Sequence, residues 1–571
     1  MFLSIGDALK PHGLAIPETV PLTADGQLYR LLAIQPAGNV HVEQGYIGPA
    51  DRAKALSQFG TYFELASSMK AELVLAPEYS CPQDALVSAI RGGDLPPLGA
   101  LWIIGLEAVT KRQLADLKEQ CKAVTWIHED VADNGGRFLD IVAYLFKSHD
   151  SQNVVRDVAM LQFKTQPMAG TFERNNLLTG KTKYILHAPS DTIRMLSLVC
   201  SDALTFAPAV AAACRFDIHP YIVFHPQLNV APRHPDMAAY RAALFALEVS
   251  ERIEVISLNW ARGFAFATGD GSRSQYGGST LYTKSPQFDR SDERVTANHA
   301  KGVYYAHWHA RRTDLALFNY DEHVFEMRLP KPFQHTGAVL RQRTGPEMLS
   351  LRRWNGEAGA WEVDTTPDDG FGDLCASYKE GDCNYCSSPP HTPIDRERLL
   401  TLSSGKLLPR VDWHRLDLLP SFMAASDERS QRLTFTHEPV AESREFRAAH
   451  LERFVKLQMY VLTDISNWPH SIADLRDEWR LEPPTAATNF RHNLVSASGN
   501  APGATVMYLA LESPAAAAEL RDSLISAWGA EHTRRLVIWH EAHNAIQTLT
   551  PPVPTIGDDD DHPASFTRGA R

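Results

Sequence analysis

The stretch LVLAPEYS, residues 73–80, is an apolar run that stops at Pro77 and then presents the carboxylate of Glu78. Short aliphatic runs closed by a proline read as buried strands. Two later stretches follow the same plan: MLQFKTQP, residues 160–167, ends its apolar run on Lys164, and LSLVCSDAL, residues 196–204, ends on Cys200. A carboxylate, an ammonium and a thiol at three strand ends supply a base, a fixed cation and a nucleophile. Those are the parts needed for covalent hydrolysis of a carbon–nitrogen bond. Taken singly, each has a plainer reading, since free cysteine is usually a small buried hydrophobe and isolated acids and lysines are usually solvated.

Outward from these stretches the first half of the chain alternates between two periods. LLAIQP (31–36) precedes the amphipathic segment ADRAKALSQFGTYFELASSMK (50–70), and AELVLAP (71–77), ALWIIGL (100–106), FLDIVAYLFK (138–147), VVRDVAMLQF (154–163), TIRMLSLVC (192–200) and HPYIVFHPQ (219–227) come after it. Strand-like and helix-like stretches in alternation predict an α/β layered fold.

The three islands, in this order, resemble the carbon–nitrogen hydrolase (nitrilase) superfamily. The matching residues are Pro77-Glu78, Lys164 and Cys200-Ser201-Asp202; LLAIQP is similar to the family's first strand, SLNWARG around Asn259 to the strand after its long helix, and Tyr276-Gly277-Gly278-Ser279 to its aromatic-Gly-x-Ser segment. The resemblance spans roughly residues 29–330. It implies an α-β-β-α sandwich with two facing sheets, Glu78 as general base, Cys200 as nucleophile, and Lys164 with the Ser201 N–H as donors to the oxyanion. Asp202 and Asn259 would support them. It also implies a second glutamate after the lysine. Glu173, nine residues on (173 minus 164), is the nearest candidate, and an acid in the first turn of a helix fits the same residue equally well. Ser201 departs from the aromatic residue the family often has there, and FALEVSERIEVISLN offers Glu248 and Glu251 where an Arg-Ala-x-Glu signature is expected.

The function implied is that of a thiol-dependent hydrolase of a small, non-peptide amide, nitrile, ureide or carbamoyl compound, working through a thioester and without a cofactor. Capture of the same thioester by an amine would give acyl transfer. Glutamine-amide hydrolysis feeding a synthetase lacks support, because no P-loop is visible in the C-terminal half. The alternative is a nitrilase-like sensor or assembly module, of the kind found in bacterial defence proteins, whose C-terminal part binds a macromolecular partner. The resemblance also implies a homodimer or higher homo-oligomer.

At 571 residues the chain is long enough for two or three folding units, and 44% apolar with 22% charged residues is a globular composition. The net charge of −12 argues against a general nucleic-acid surface. No apolar run reaches the length of a membrane span, and MFLSIGDALKPHG has no secretory pattern. Seven cysteines, an odd and sparse set, fit a reducing compartment, and the expected location is the cytoplasm. The expected organisation is an N-terminal extension (1–28), the nitrilase-like domain (29–330), a connecting arm (331–370), an accessory α/β or α+β domain with a Cys-rich loop (371–549) and a disordered acidic tail (550–571). In the accessory part, EFRAAHLERFVKLQMYVLTDI reads as an amphipathic helix, and ATVMYLALE, SPAAAAELRDSLISAWG and RRLVIWHEAH as strand, helix, strand.

A second cluster lies in LCASYKEGDCNYCSSPPHTP. Cys383-x-x-Cys386 has the spacing of a zinc knuckle, and Cys375 with His391 would complete a tetrahedral structural zinc site; free cysteines in a surface insertion fit the segment as well. His307 and His309, two apart on a strand, face the same way, and ordinary strand packing accounts for them.

Overall fold

The computed structural model describes residues 1–552 except 133–135, 169–170, 207, 231–234, 248–249, 267–278, 285–290, 309–311, 333–344, 368–391, 417, 420, 426–427 and 433–440. The segment Tyr276–Gly278, the residues Glu248 and His309, the whole cysteine cluster (Cys375, Cys383, Cys386, His391) and the acidic tail from 553 therefore lie outside the described residues.

Two large sheets build the first unit. One has nine strands, in spatial order Ala360–Val363, Glu347–Asn355, His323–Pro330, Leu28–Gln35, Leu73–Cys81, Leu101–Leu106, Ile141–His149, Val155–Phe163 and Thr125–Ile127. The other has ten, in the order Phe2–Ser4, Lys183–His187, Arg194–Ser197, Tyr221–Pro226, Ile253–Leu258, Thr280–Lys284, Thr313–Phe318, Val303–Trp308, Glu428–Arg432 and Ser421–Ala425. The central strands are apolar along most of their length and buried on both faces, as parallel strands between covering layers must be.

The two sheets face each other. The Tyr29 hydroxyl donates to Glu254 Oε1 across the gap at 2.7 Å, and Gln162 on one sheet donates to Ser197 O (3.1 Å) and accepts the Tyr184 N–H (3.0 Å) on the other. Helices close the outer faces. Arg52–Ser68 buries Ala55, Phe59, Tyr62, Phe63 and Ala66, a stripe at three- and four-residue spacing, with Phe63 stacked on Trp102 at 5.9 Å. On the other side, Tyr240, Leu244 and Phe245 of Pro235–Phe245 pack on Leu196, Val223 and Val255. The result is a four-layer α-β-β-α sandwich, as the resemblance implies.

Two boundaries differ from expectation. The N-terminal stretch is part of the sandwich, because Phe2–Ser4 pairs in parallel with Lys183–His187 and Ile5 and Leu9 are buried. The stretch expected as a connecting arm supplies two strands instead: Glu347–Asn355 pairs antiparallel with His323–Pro330, and Ala360–Val363 pairs with Glu347–Asn355. Turn-forming residues flank both, and Glu347–Asn355, though nine residues long and paired on both sides, is only partly buried and shows no clean alternation, while Ala360–Val363 is a four-residue edge. The chain divides into one compact unit of Met1–Lys379 with Ser421–Phe446 and another of Glu380–Pro420 with Arg447–Arg571.

In the second unit, Thr505–Tyr508 and Leu536–Ala542 pair in parallel around the helix Pro514–Trp528, and Ala545–Leu549 adds an antiparallel edge. That is the strand, helix, strand order read from the sequence. Leu451, Phe454, Val455 and Leu462 are buried as the amphipathic stripe requires. Among the described residues no helix is long and apolar enough to cross a membrane.

Candidate active site

Glu78 is placed by a break in its own strand. Leu73–Cys81 runs in register with Leu101–Leu106 as far as Ala76 opposite Ile104, then resumes only at Cys81 opposite Leu106. Pro77 has no N–H to give to a ladder, and Tyr79 takes a left-handed backbone at φ +56°, so the chain bulges at this point. Gly105 makes room, because a Cβ there would stand 2.1 Å from Pro77 O and 2.9 Å from Glu78 Cα. The Glu78 side chain is buried; Oε1 accepts from Lys164 Nζ at 2.8 Å and Oε2 from the Leu228 N–H at 2.7 Å. The indole of Trp260 donates to the Glu78 carbonyl at 2.9 Å.

Lys164 follows directly on Val155–Phe163. Its N–H donates to Asp140 O at 3.0 Å and its carbonyl accepts the Gly180 N–H at 2.9 Å. Its ammonium lies 2.8 Å from Glu78, 2.9 Å from Glu173 and 3.6 Å from Asp140. Glu173, on the short helix Thr171–Asn176, takes the ammonium on both oxygens and also accepts the Tyr79 hydroxyl (3.1 Å) and the Met168 N–H (2.6 Å). Glu78, Asp140 and Glu173 each bring an oxygen within 4.8 Å of the others, the separation of a metal cage, but the Lys164 ammonium reaches all three. Burial works against the lysine's charge, yet Glu173 and Glu78 outweigh it and hold the amine ionised. Burial pushes the Glu78 carboxyl up, with Lys164 opposing.

Cys200 lies three residues beyond the end of Arg194–Ser197, on the first residue of a 3-10 turn, Cys200–Thr205, rather than on the strand itself. Its φ of +42° is uncommon for a residue with a side chain and costs energy that the surroundings must supply. His225 does so in part: its Nε2 lies 3.0 Å from Cys200 O, and Gln227 Nε2 meets its Nδ1 at 3.2 Å. Burial lowers His225 to about 4, so the ring is neutral, with Nε2 donating to the carbonyl and Nδ1 accepting from the amide.

The thiol is fully buried and within electrostatic reach of Glu78, Lys164, Glu173 and Asp140. Burial first, and Glu78 next, push it well above an ordinary thiol, so it rests protonated.

The thioether of Met168 stands 3.8 Å from the Cys200 sulfur. Met168→Ala is therefore expected to speed alkylation of Cys200 by iodoacetamide about tenfold through access alone, with Met168→Leu close to wild type. Equal rates in all three proteins, read at Cys200 by peptide mass, would show that this side chain screens nothing.

The supporting residues are tied to the same loops. Asp202 Oδ1 accepts from Thr165 N (2.9 Å), Thr165 Oγ1 (2.7 Å) and Gln166 N (2.8 Å), fixing the chain just after Lys164, and Ser201 Oγ donates to Gln166 O at 2.6 Å. Asn259 clamps Asn229 through both main-chain groups (3.1 and 2.7 Å), next to the Leu228 N–H that holds Glu78. Glu78, Lys164 and Glu173 thus meet directly, and the Cys200 thiol lies within electrostatic reach of all three. His307 is elsewhere, bonded to Asp314 on the adjacent strand at 2.9 Å.

The sequence reading missed Asp140, His225 and Met168. For the first two a hint existed, a titratable residue inside an apolar run in FLDIVAY and in YIVFHP, since such residues are rarely buried without partners. For Met168 there was none.

No family model matches the chain, and no curated protein matches it. Among solved structures it is similar to glutamine-dependent NAD+ synthetase from Acinetobacter baumannii in complex with ADP, at 9% identity and a TM-score of 0.30, over 66% of this chain and 54% of that one. The chain spans about half the length of that enzyme, and a likeness this distant assigns neither family nor activity.

Proposed function

We propose that the protein is a thiol-dependent hydrolase of a small non-peptide carbon–nitrogen compound. The observation that carries this reading is a buried ammonium shared by two glutamates, 2.8 and 2.9 Å away, within electrostatic reach of a buried, protonated cysteine thiol. A packed core gains little from such a cluster, because desolvating the charges offsets most of their attraction. An acyl-transfer site uses each part.

Cys200 attacks the amide carbon as its proton passes to Glu78, forming the S–C bond without a free thiolate beforehand. The carbonyl oxygen becomes an oxyanion and is met by the Lys164 ammonium, already oriented by Glu173. Breakdown releases the amine as Glu78 returns the proton to its nitrogen. Water then gives a proton to Glu78, its oxygen attacks the thioester, and the carboxylic acid leaves as the sulfur regains its proton.

The test is intact-mass measurement of the protein during incubation with a panel of small amides and nitriles. A transient acyl adduct mapped to Cys200, and absent from Cys200→Ala, is the expected outcome. An adduct of equal yield on Cys200→Ala, or release of product by that variant at the wild-type rate, would remove the assignment.

A further inference from the structure

Asp140 belongs to the charged cluster but is bonded unlike its neighbours. It is fully buried just ahead of the strand Ile141–His149, and its backbone carbonyl already holds the Lys164 N–H at 3.0 Å. Both oxygens of Glu78 accept from a cationic or amide donor, and both of Glu173 do likewise. Neither oxygen of Asp140 accepts from any N–H or O–H among the described residues, and the lysine ammonium is 3.6 Å away. One oxygen each of Asp140, Glu78 and Glu173 lies within 4.8 Å of the others, so three buried carboxyl groups crowd a single ammonium. Buried carboxyl groups this close do not all ionise, and one of them holds a proton.

Glu78 and Glu173 accept from donors on both of their oxygens and Asp140 on neither, so the proton lies on Asp140. We propose that Asp140 is a positioning residue, present as the neutral acid, whose O–H donates to Glu78 and keeps Glu78 ionised and able to take the Cys200 proton. The inference rests on the hydrolase reading for its purpose but not for the proton itself. Charge supports it: one ammonium meets three buried carboxyl groups, and with all three ionised the cluster would carry a net charge of −2. Burial, followed by the Glu78 charge, holds the Asp140 carboxyl well above the usual range. The groups facing it are Glu78 and Tyr79 from the bulge, Lys164, Glu173 and Cys200.

If Asp140 holds its proton on folding, the folded state binds a proton that the unfolded chain has lost above about pH 4. Wild type then loses stability as pH rises, and Asp140→Asn, which keeps a neutral donor, does not lose that part. The folded-to-unfolded ratio of Asp140→Asn relative to wild type, from urea unfolding of the full chain, is expected to rise up to about tenfold per pH unit between about pH 5 and pH 8. A ratio constant across that window, the result for an ionised Asp140, would overturn the proposal.

The second arm is the rate of Cys200 acylation by p-nitrophenyl acetate, followed by mass with Cys200→Ala as blank. Asp140→Asn is expected within about threefold of wild type and Asp140→Leu about a hundredfold slower, the usual scale for loss of general-base function. Asp140→Asn as slow as Asp140→Leu overturns the positioning role. A flat pH ratio with normal acylation removes this inference alone, whereas no Cys200 adduct on wild type removes the hydrolase reading and this role with it.

Discussion

Lys164→Met is expected to destabilise the sandwich by about 3–5 kcal/mol, the scale measured when one partner of a buried ion pair is removed. Methionine fills much of the space, so the loss is electrostatic: Glu78 and Glu173, each bonded to the ammonium at 2.8 to 3.0 Å, are left buried without a counter-charge. Their response fixes the pH dependence. Without Lys164 the Glu78 carboxyl, which burial already raises, loses its main opposing influence and moves further up, so it stabilises the fold while protonated, and that stability is lost as pH rises through the raised folded value. The deficit against wild type is therefore smaller at about pH 5 than at about pH 8. On the hydrolase proposal Cys200 acylation falls as well, by about a hundredfold or more, the scale for loss of an oxyanion donor. Urea midpoints at the two pH values check the expectation. A deficit under about 1 kcal/mol, or one that grows toward acid, would mean the ammonium is not the counter-ion of this cluster.

Gly105→Ala tests the bulge. In an ordinary strand the change from glycine to alanine is neutral or stabilising by up to about 1 kcal/mol, because it restricts the unfolded chain. Here the new methyl would lie 2.1 Å from Pro77 O, 2.7 Å from Pro77 C and 2.9 Å from Glu78 Cα, all backbone atoms that cannot rotate aside. The expected cost is about 3 kcal/mol or more, at the upper end for overpacking, and Glu78 is displaced from Lys164 with it. Reduced Cys200 acylation together with a lowered urea midpoint is the expected pair of results. A variant with wild-type stability and wild-type acylation would show that Gly105 is replaceable and that Glu78 is placed by other means. Gly180 has the same part behind Lys164, where a Cβ would meet Phe163 O at 2.8 Å.

Much of the fold was legible because burial on both faces leaves a strong trace. The runs around Leu73, Leu101, Ile141, Val155 and Tyr221 are strands whose residues are mostly buried, and the stripe of Phe59, Tyr62, Phe63 and Ala66 is a covering helix. Short edge strands gave no such trace. Phe2–Ser4 and Ala360–Val363 span three and four residues, too few for a period to register, and both were placed outside the sandwich by the sequence reading.

The chemistry divides along the same line. Glu78, Lys164 and Cys200 could be named from the chain alone because each ends a patterned stretch with a reactive group, and periodicity is a local property, whereas Glu173 could be named only through the family resemblance. How those groups are charged was not legible. It depends on Asp140 lying 3.6 Å from Lys164 with no donor of its own among the described residues, on the Leu228 N–H reaching Glu78 from 150 residues away, on His225 holding the carbonyl of a cysteine at φ +42°, and on Met168 resting against the sulfur. Protonation follows from distances and desolvation summed over groups remote in sequence, and those quantities exist only once the two sheets have closed over them.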